Sequence, residues 1–294
     1  MHGLLAELRP RQWTKNLVLF AGLVFSKNAT DADLAIRSLL AFVCFCFASG
    51  AVYIINDIAD REQDRLHPVK RHRPIASGVL NPGVAAGWAI ALVAATTALA
   101  LYLGGAFLTV FAVFLVLNLS YSFKLKQIMG LDVLAIAVGF VLRAIAGVEV
   151  LAKTQPEIEL SPWLLVCTLF LALFLGLGKR RAELSQLVEN AERHRKSLAH
   201  YSIGLLNQMI AMVSAATVIS YSIYTISPGT VQKFHTEKLV YTVPFVVYGL
   251  WRYLYLVFEK EGGGNPSEVL LTDAPLLVNV LLWVLAAAGV LYLS

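Results

Sequence analysis

Long apolar runs recur along the whole chain and limit what it can fold into. Each is about 20 residues long, which lets a helix cross a hydrocarbon core roughly 30 Å thick. Only 15% of the residues are charged and the mean hydropathy is +0.69. The runs are continuous and lack the alternation of barrel strands. The sequence therefore predicts one all-α polytopic membrane domain over residues 1–294 with nine transmembrane helices. They lie near 14–30, 35–57, 83–104, 106–122, 131–151, 161–178, 203–226, 239–258 and 275–293.

The basic residues are distributed unequally between the two sets of connections. With nine crossings, the N-terminus and the even-numbered connections share one side and hold 17 of the 24 Lys and Arg residues, whereas the opposite side holds four. Cytoplasmic loops carry the excess of Lys and Arg. We therefore expect the N-terminus and the charged loops to be cytoplasmic and the C-terminus to face outward, with the charged N-terminal segment lying on the membrane surface before the first helix.

The stretch "YIINDIADREQDRLHPVKRHRPIASG", residues 53–78, places dense charge at the end of the second apolar run. Asn56, Asp57, Asp60 and Asp64 are spaced so that a helix brings the three carboxylates onto one face. Repelling carboxylates at membrane depth need a cation, and hard oxygen ligands suit Mg²⁺. The alternative is a solvated helix end whose acids pair with nearby Arg and Lys.

Basic residues follow the acids directly. Lys70, Arg71 and Arg73 lie within "HPVKRHRP". Acids that hold a metal ion, followed by bases, suit a polyphosphate whose oxygens the metal bridges while the cations neutralise the rest. Membrane topology alone is the alternative explanation for these three bases.

An N-D-x-x-D-x-x-x-D motif at the end of the second of nine membrane helices, followed by a basic stretch with R-P, resembles the UbiA superfamily of intramembrane prenyltransferases. The resemblance implies a UbiA-like helical bundle with a polar cavity open to the cytoplasm. It also implies Mg²⁺ as cofactor, with a diphosphate bound at two Asp-rich motifs, one after helix 2 and one after helix 6. Asp57 and Asp60 are then the expected catalytic residues, and Asn56, Asp57, Asp60 and Asp64 the expected metal ligands.

The second motif departs from the family pattern. Residues 176–202, "GLGKRRAELSQLVENAERHRKSLAHYS", lack an aspartate cluster after the predicted sixth helix. They offer Lys179, Arg180, Glu183, Arg195 and Lys196 instead as expected substrate-binding residues, and we expect the bases of this mainly basic motif to bind phosphate directly. This exchange resembles the branch of the superfamily that transfers phosphoribosyl groups to decaprenyl phosphate. The segments "RPRQWTKN" (9–16), "YSFKLK" (121–126) and "LDVLAIAVGFVLRAIAG" (131–147) resemble the same branch.

The resemblance implies transfer of a phosphoribosyl group from 5-phosphoribosyl 1-diphosphate to a polyprenyl phosphate, with release of diphosphate, in making a lipid-linked arabinose precursor for the cell wall. Two alternatives stay open. A prenyltransferase acting on an aromatic or haem-like acceptor would show a second aspartate cluster. A transporter would show interrupted helices in two repeated halves. Nucleic acid is not an expected partner, and a homo-oligomer is compatible with this architecture.

Other polar residues within or beside the apolar runs are candidates for the same site. Arg143 lies inside the fifth run, where an ionisable residue is by default a functional hypothesis, so we expect it to be a catalytic residue beside Asp57 and Asp60; a structural pair with Glu149 is the alternative. Membrane-surface anchoring is the alternative for the remaining bases. The further candidates for substrate binding are Lys15, Asn16, Tyr121, Lys124 and Lys126.

Overall fold

A computed structural model describes residues 2–66, 68–186, 196–260, 264 and 266–293, and every regular element in these ranges is helical. Eight described helices are long and apolar enough to cross a membrane. The prediction of an all-α membrane protein is thereby confirmed. The eight spans are Ala32–Ala59, Pro82–Leu103, Gly105–Phe123, Leu131–Ala152, Pro162–Ser185, Ile203–Ile226, Lys238–Phe258 and Ala274–Tyr292.

The first predicted run differs from the other eight. It forms a 3-10 helix, Pro10–Phe20, and a short α-helix, Ala21–Phe25, instead of one long helix. The segment packs backbone to backbone against the helix Leu131–Ala152. A Cβ on Gly147 would lie 2.1 Å from the carbonyl oxygen of Leu19, so only glycine permits this approach.

The chain divides into two compact units, the first running to Leu160 and including Ser197, the second beginning at Ser161. Each is described separately, and the prediction of a single domain stays a prediction. Five 3-10 helices accompany the described α-helices: Pro10–Phe20, Lys70–His72 and Leu125–Gln127 in the first unit, Lys238–Thr242 in the second, and Lys196–His200, whose residues are divided between the two. The α-helices of the first unit are α1 His2–Glu7, α2 Ala21–Phe25, α3 Ala32–Ala59, α4 Arg61–Leu66, α5 Pro74–Ser77, α6 Pro82–Leu103, α7 Gly105–Phe123 and α8 Leu131–Ala152.

Local signals fix where the helices of the first unit begin. Asp31 precedes α3, and its carboxylate accepts a hydrogen bond from the Leu34 N–H at 3.0 Å. Asn81 does the same for α6 by accepting from the Gly83 N–H at 2.8 Å, with Pro82 at the first helical position. Such side-chain oxygens satisfy amide groups that a helix start leaves unpaired.

The core between α3 and α7 is aromatic. Phe45 of α3 is fully buried, and its ring centroid lies 4.8 to 5.9 Å from those of Phe107, Phe111 and Phe114. Tilted and edge-on aromatic pairs of this kind stabilise beyond their buried area. This packing holds α3 rigidly along the part that leads to the acidic motif.

The second unit is also built from long helices, and a small network of polar groups joins three of its elements. The Trp283 indole N–H donates to the Tyr221 hydroxyl at 2.9 Å, and that hydroxyl lies 2.7 Å from the Thr242 hydroxyl. Because each buried polar group has a partner, the network stabilises the packing. The α-helices are α9 Pro162–Gln186, α10 Ile203–Ile226, α11 Pro228–Phe234, α12 Val243–Phe258, α13 Pro266–Thr272 and α14 Ala274–Leu293.

Candidate active site

The acidic motif straddles a break between two helices. Helix α3 ends at Ala59, Asp60 occupies its C-cap, and α4 begins at Arg61. Asp57 is 1% and Asp64 3% exposed, so both are buried. Helical hydrogen bonds continue across the break, from the Asp60 N–H to the Asn56 carbonyl at 2.9 Å and from the Asp64 N–H to the Asp60 carbonyl at 2.8 Å, and the column of three carboxylates stays a prediction.

Asp57 is held between two guanidinium groups. Arg9 donates to Oδ2 of Asp57, and Arg73 donates to Oδ1 at 3.0 Å. Arg73 also donates to Asp64 at 2.6 Å, so it bridges the two buried carboxylates. The structure thus brings together Asp57, Asp64 and Arg73, three of the residues predicted from sequence, and adds Arg9.

Asp60 faces a different cation. The Lys126 ammonium group lies 2.7 and 2.6 Å from the two carboxylate oxygens of Asp60. The same ammonium group donates to the side-chain oxygen of Asn56 at 3.2 Å. Lys126 and Asn56, both predicted site residues, are therefore joined to Asp60.

We use the name acidic cluster for Asp57, Asp60 and Asp64 together with Arg9, Arg73 and Lys126. Its three carboxylates are balanced by three cations. The expectation that the acids need a cation is met by the chain itself, through Arg9, Arg73 and Lys126. The alternative of a solvated helix end whose acids pair with nearby Arg and Lys is confirmed in its pairing and wrong in its solvation, since Asp57 and Asp64 are buried.

The donor chemistry of the acidic cluster fits Mg²⁺, which binds hard oxygen atoms through one or two carboxylates. In the ion-paired arrangement these oxygens are taken by Arg and Lys. Within the described ranges, no group of three or more His, Cys, Asp or Glu side chains is placed to hold a metal ion. A metal ion would therefore bind after Arg or Lys had left the carboxylates, and Asn56, Asp57, Asp60 and Asp64 stay the predicted ligands.

Glu7 lies beneath the acidic cluster and is 1% exposed. Its carboxyl accepts a hydrogen bond from the Ile75 N–H at 3.1 Å. Burial, followed by its hydrogen bond with Asp57, raises the pKa of Glu7 to about 7. Burial also raises the pKa of Asp64, while the charges of Arg73 and Lys70 act in the opposite direction. Glu7 thus connects α1 to α5 and to the acidic motif.

A second polar group, which we name the Arg143 cluster, comprises Lys15, Asn16, Ser49 and Arg143. Arg143 is 6% exposed and donates to the Asn16 side-chain oxygen at 2.6 Å, to the Gly139 carbonyl at 2.8 Å and to the Ser49 hydroxyl at 3.4 Å. All these partners are neutral. Across the described residues Arg143 forms no ion pair, so the suggested pair with Glu149 is not formed.

Lys15 adds positive charge to this cluster. It has no hydrogen bond or ion pair within the described part of the chain, and the charges of Arg143 and Arg9 repel it. A buried cation with neutral partners, joined by a second cation without a counter-ion, is suited to attract an anion. The predicted roles of Lys15, Asn16 and Arg143 stay predictions.

The remaining predicted residues of the first unit lie near the acidic cluster in sequence, with different surroundings. Lys70 is near enough for its charge to act on Asp64. Arg71 is exposed and donates to the His72 ring at 3.3 Å. Tyr121 is half-buried near the end of α7, and Lys124 is exposed just after it. Their substrate-binding roles stay predictions.

The predicted basic motif of the second unit begins at the end of α9. Arg180 is 1% exposed and donates to Glu183 at 2.6 Å, whereas Lys179 lies 3.7 Å from the same carboxylate. Arg181 binds elsewhere, since it donates to the Asn207 side chain at 2.9 Å and to the Val257 carbonyl at 2.8 Å. Arg195 lies outside the described residues. Lys196 opens the 3-10 helix Lys196–His200.

Comparison with known proteins adds a match to a family model. The model of the UbiA prenyltransferase family matches residues 17–272, which is most of the chain. The chain belongs to the UbiA prenyltransferase family. In this UbiA protein the acidic cluster is formed around the N-D-x-x-D-x-x-x-D motif, whose resemblance to the family motif had made these residues the expected site.

Two relatives of this UbiA protein are similar over nearly their whole length. A decaprenyl-phosphate phosphoribosyltransferase of Corynebacterium glutamicum is 38% identical over 99% of this chain and 87% of its own. A protein of the same name from Mycolicibacterium smegmatis is 33% identical over 99% of this chain and 93% of its own.

A solved structure shares the fold. A UbiA homologue from Archaeoglobus fulgidus, bound to GPP and Mg²⁺, has a TM-score of 0.72 and covers 98% of this chain and 99% of its own. At 20% identity the likeness establishes the UbiA fold and nothing about the substrate.

Sequence reasoning missed two residues of the site, Arg9 and Glu7. Arg9 is separated from Asp57 by 48 positions, and Glu7 from Ile75 by 68. No local spacing links them to the acidic motif. The one available signal was charge: both lie in the N-terminal segment that was predicted to rest on the membrane surface.

Proposed function

We propose that this UbiA protein transfers the phosphoribosyl group of 5-phosphoribosyl 1-diphosphate to a polyprenyl phosphate and releases diphosphate. The observation that carries the proposal is the similarity, over nearly the full chain, to two proteins named decaprenyl-phosphate phosphoribosyltransferase. The basic character of the second motif supports it, because Lys179 and Arg180 stand where the prenyl-diphosphate branch is expected to have aspartates.

The reaction forms a bond between a lipid phosphate oxygen and C1 of the ribose, and it breaks the bond between C1 and the diphosphate oxygen. As that bond breaks, positive charge builds on the ribose ring, as in glycoside cleavage. Negative charge gathers on the departing diphosphate. Arg73 and Lys126, which hold carboxylates in this structure, are placed to neutralise it with charge-assisted hydrogen bonds.

Mg²⁺, when bound, would stabilise the charge of the diphosphate as a Lewis acid. The chain's own contribution is to keep the ligands in place. Asp57 is fixed on the rigid end of α3, while Asn56 and Asp60 are held by Lys126. The likeness to a solved homologue bound to Mg²⁺ supports the assignment of this cofactor.

The acceptor needs no strong general base, because a lipid phosphate is already anionic near neutral pH. It does need positive charge near its head group. The Arg143 cluster supplies cations without counter-ions, so we assign to Lys15 and Arg143 the attraction of a substrate phosphate. Asn16 is 1% exposed, accepts from Arg143 and donates to the Cys46 Sγ at 3.2 Å, so it holds Arg143 in place.

The location of the site follows from the distribution of charge. The connections that hold most Lys and Arg include the one after α3, so we place the acidic cluster on the cytoplasmic side of the bacterial inner membrane. The product would be a lipid-linked precursor of cell-wall arabinose. The names of the two bacterial relatives support a phosphoribosyl lipid as the product, and the cell-wall role follows from the resemblance alone.

The test uses purified protein with Mg²⁺, decaprenyl phosphate and phosphoribosyl diphosphate labelled in the ribose. We expect the label to enter the organic phase with the lipid, and chelation of Mg²⁺ to abolish the transfer. A parallel reaction offers labelled prenyl diphosphate and an aromatic acceptor. Transfer in that reaction alone would overturn the proposal in favour of prenyl transfer.

A further inference from the structure

Arg9 has a backbone conformation that requires support. It lies between α1 and the 3-10 helix Pro10–Phe20, with φ 50° and ψ 62° in the left-handed region. Residues with a side chain rarely adopt this conformation, and a following proline disfavours compact conformations further. Strained residues of this kind persist where the surrounding structure holds them, and they are concentrated at functional sites.

The surrounding structure does hold Arg9. Glu7 is fixed to α5 through the Ile75 N–H, and Leu8 is buried against Ile54 and Ile75. A Cβ on Gly50 would lie 2.6 Å from Leu8, so the segment sits directly on α3. The Leu8 carbonyl also accepts a hydrogen bond from the Trp13 indole at 3.2 Å. The residues on both sides of Arg9 are therefore fixed.

The side chain of Arg9 points at the acidic cluster. Its guanidinium group donates to Asp57, and its carbon lies 4.7 Å from the ring centroid of Tyr53. Guanidinium groups bind aromatic faces favourably and leave their edge free for hydrogen bonds. The Arg9 side chain keeps 25% of its surface exposed, so it is accessible from the solvent side of the cluster.

Asp57 has two cationic partners, one more than its single negative charge requires. Both Arg9 and Arg73 donate to it, whereas Asp64 shares Arg73 and Asp60 has Lys126. If Asp57 turns an oxygen toward a metal ion, Arg9 loses its carboxylate while Tyr53 still holds the guanidinium group. The Glu7 carboxylate also attracts Arg9, but it already binds the Ile75 N–H, so an anion that arrives with the metal ion would find free N–H donors on Arg9.

We propose that Arg9 is a further substrate-binding residue and that its guanidinium group binds the diphosphate of the donor. The inference rests on the proposed function for the identity of that donor. It assigns to the N-terminal segment a part of the active site in addition to its expected place on the membrane surface. Arg9 exchanges the Asp57 carboxylate for phosphate oxygens when the donor binds.

The experiment compares Arg9→Ala and Arg9→Lys with Arg11→Ala. Arg11 is the matched control, because it lies two positions further on, is exposed and has no side-chain partner within the described residues. The first measurement is KM for phosphoribosyl diphosphate and, separately, for decaprenyl phosphate. The second is the binding of inorganic pyrophosphate with Mg²⁺ by calorimetry, which requires no turnover.

We expect Arg9→Ala to raise KM for the donor by on the order of 10- to 100-fold and to weaken pyrophosphate binding similarly, because a hydrogen bond to a charged group is lost. KM for the lipid should stay unchanged. Arg9→Lys should lie between Arg9→Ala and the parent, since it keeps the charge and loses the planar fork. Arg11→Ala should match the parent in both measurements.

Unchanged pyrophosphate binding in folded Arg9→Ala would overturn the inference, as would an equal rise in KM for both substrates. If Arg9→Ala does not fold, Arg9→Lys decides, and parent-like values for its donor KM and pyrophosphate affinity would overturn the inference. Failure of the parent protein to transfer phosphoribosyl groups would refute the proposed function alone. The pyrophosphate measurement would still decide the role of Arg9.

Discussion

Two regions of this protein pair Arg with Asp, and they do so differently. In the second unit Arg252 binds Asp273 with two hydrogen bonds of 3.0 and 2.8 Å, and Asp273 also accepts from the Leu276 N–H at the start of α14. Each group there has one charged partner. In the acidic cluster Asp57 has two cations and Arg73 has two carboxylates.

The difference separates a pair that stabilises structure from a cluster that can exchange partners. The Arg252–Asp273 pair joins α12 to the start of α14, where Asp273 also caps the helix by accepting from the Leu276 N–H. In the acidic cluster one cation can leave Asp57 while another remains. Four predictions test this distinction, beginning with the largest expected effect.

Asp57→Asn should lower turnover by on the order of 10²-fold or more, because it removes a charge at the centre of the cluster while nearly preserving shape. Turnover of labelled lipid is the measurement, with size-exclusion chromatography to confirm folding. Glu62→Gln is the matched control, since this nearby carboxylate is 75% exposed and pairs with Arg65 alone. Substantial activity in folded Asp57→Asn would place the metal ion elsewhere.

Lys126→Met should raise KM for the donor by about tenfold or more, because it leaves Asp60 and Asn56 without their cation. The charge of Asp60 would then repel the diphosphate. Steady-state kinetics at saturating lipid measure the effect. Gln127→Met, a neighbouring exposed residue, is the control, and equal effects of both substitutions would argue for a local structural role.

Lys179→Ala should raise KM for a phosphorylated substrate by a few-fold and leave kcat nearly unchanged. Lys179 is 39% exposed and only 3.7 Å from Glu183, so water already screens part of its charge. Separate KM values for donor and lipid would show which phosphate it meets. If neither value moved, the positive charge at the end of α9 would serve topology alone.

Asp273→Asn should leave turnover unchanged and lower Tm by on the order of a few degrees at neutral pH. The hydrogen bond from Arg252 lowers the pKa of Asp273 below its ordinary value of 3.8. A lowered pKa means that the pair stabilises the fold above pH 3.8 and that this stabilisation disappears as the pH falls below it. The Tm difference between variant and parent should therefore shrink in acid. A constant difference would mean that the charge contributes nothing.

Much of the fold was predictable because each membrane helix is a continuous apolar run that is visible in the local sequence. Eight of the nine predicted runs correspond to long helices. The first forms a 3-10 helix and a short α-helix instead, and the close contact of Leu19 with Gly147 that accompanies this form depends on tertiary packing. Spacing identified Asp57, Asp60 and Asp64. It could not show that α3 ends before Asp60 or that Lys126 reaches Asp60 from 66 positions away.

The close contact between Leu8 and Gly50 affects where a purification tag can be attached. A purification handle fused ahead of His2 would begin within one short helix of the residue that touches Asp57. Bulk added there can tilt that helix and disturb the contact of Arg9 with Asp57 in the acidic cluster. An affinity tag belongs at the far end of the polypeptide, and weak preparations made with an N-terminal tag should be remade before their kinetics are believed.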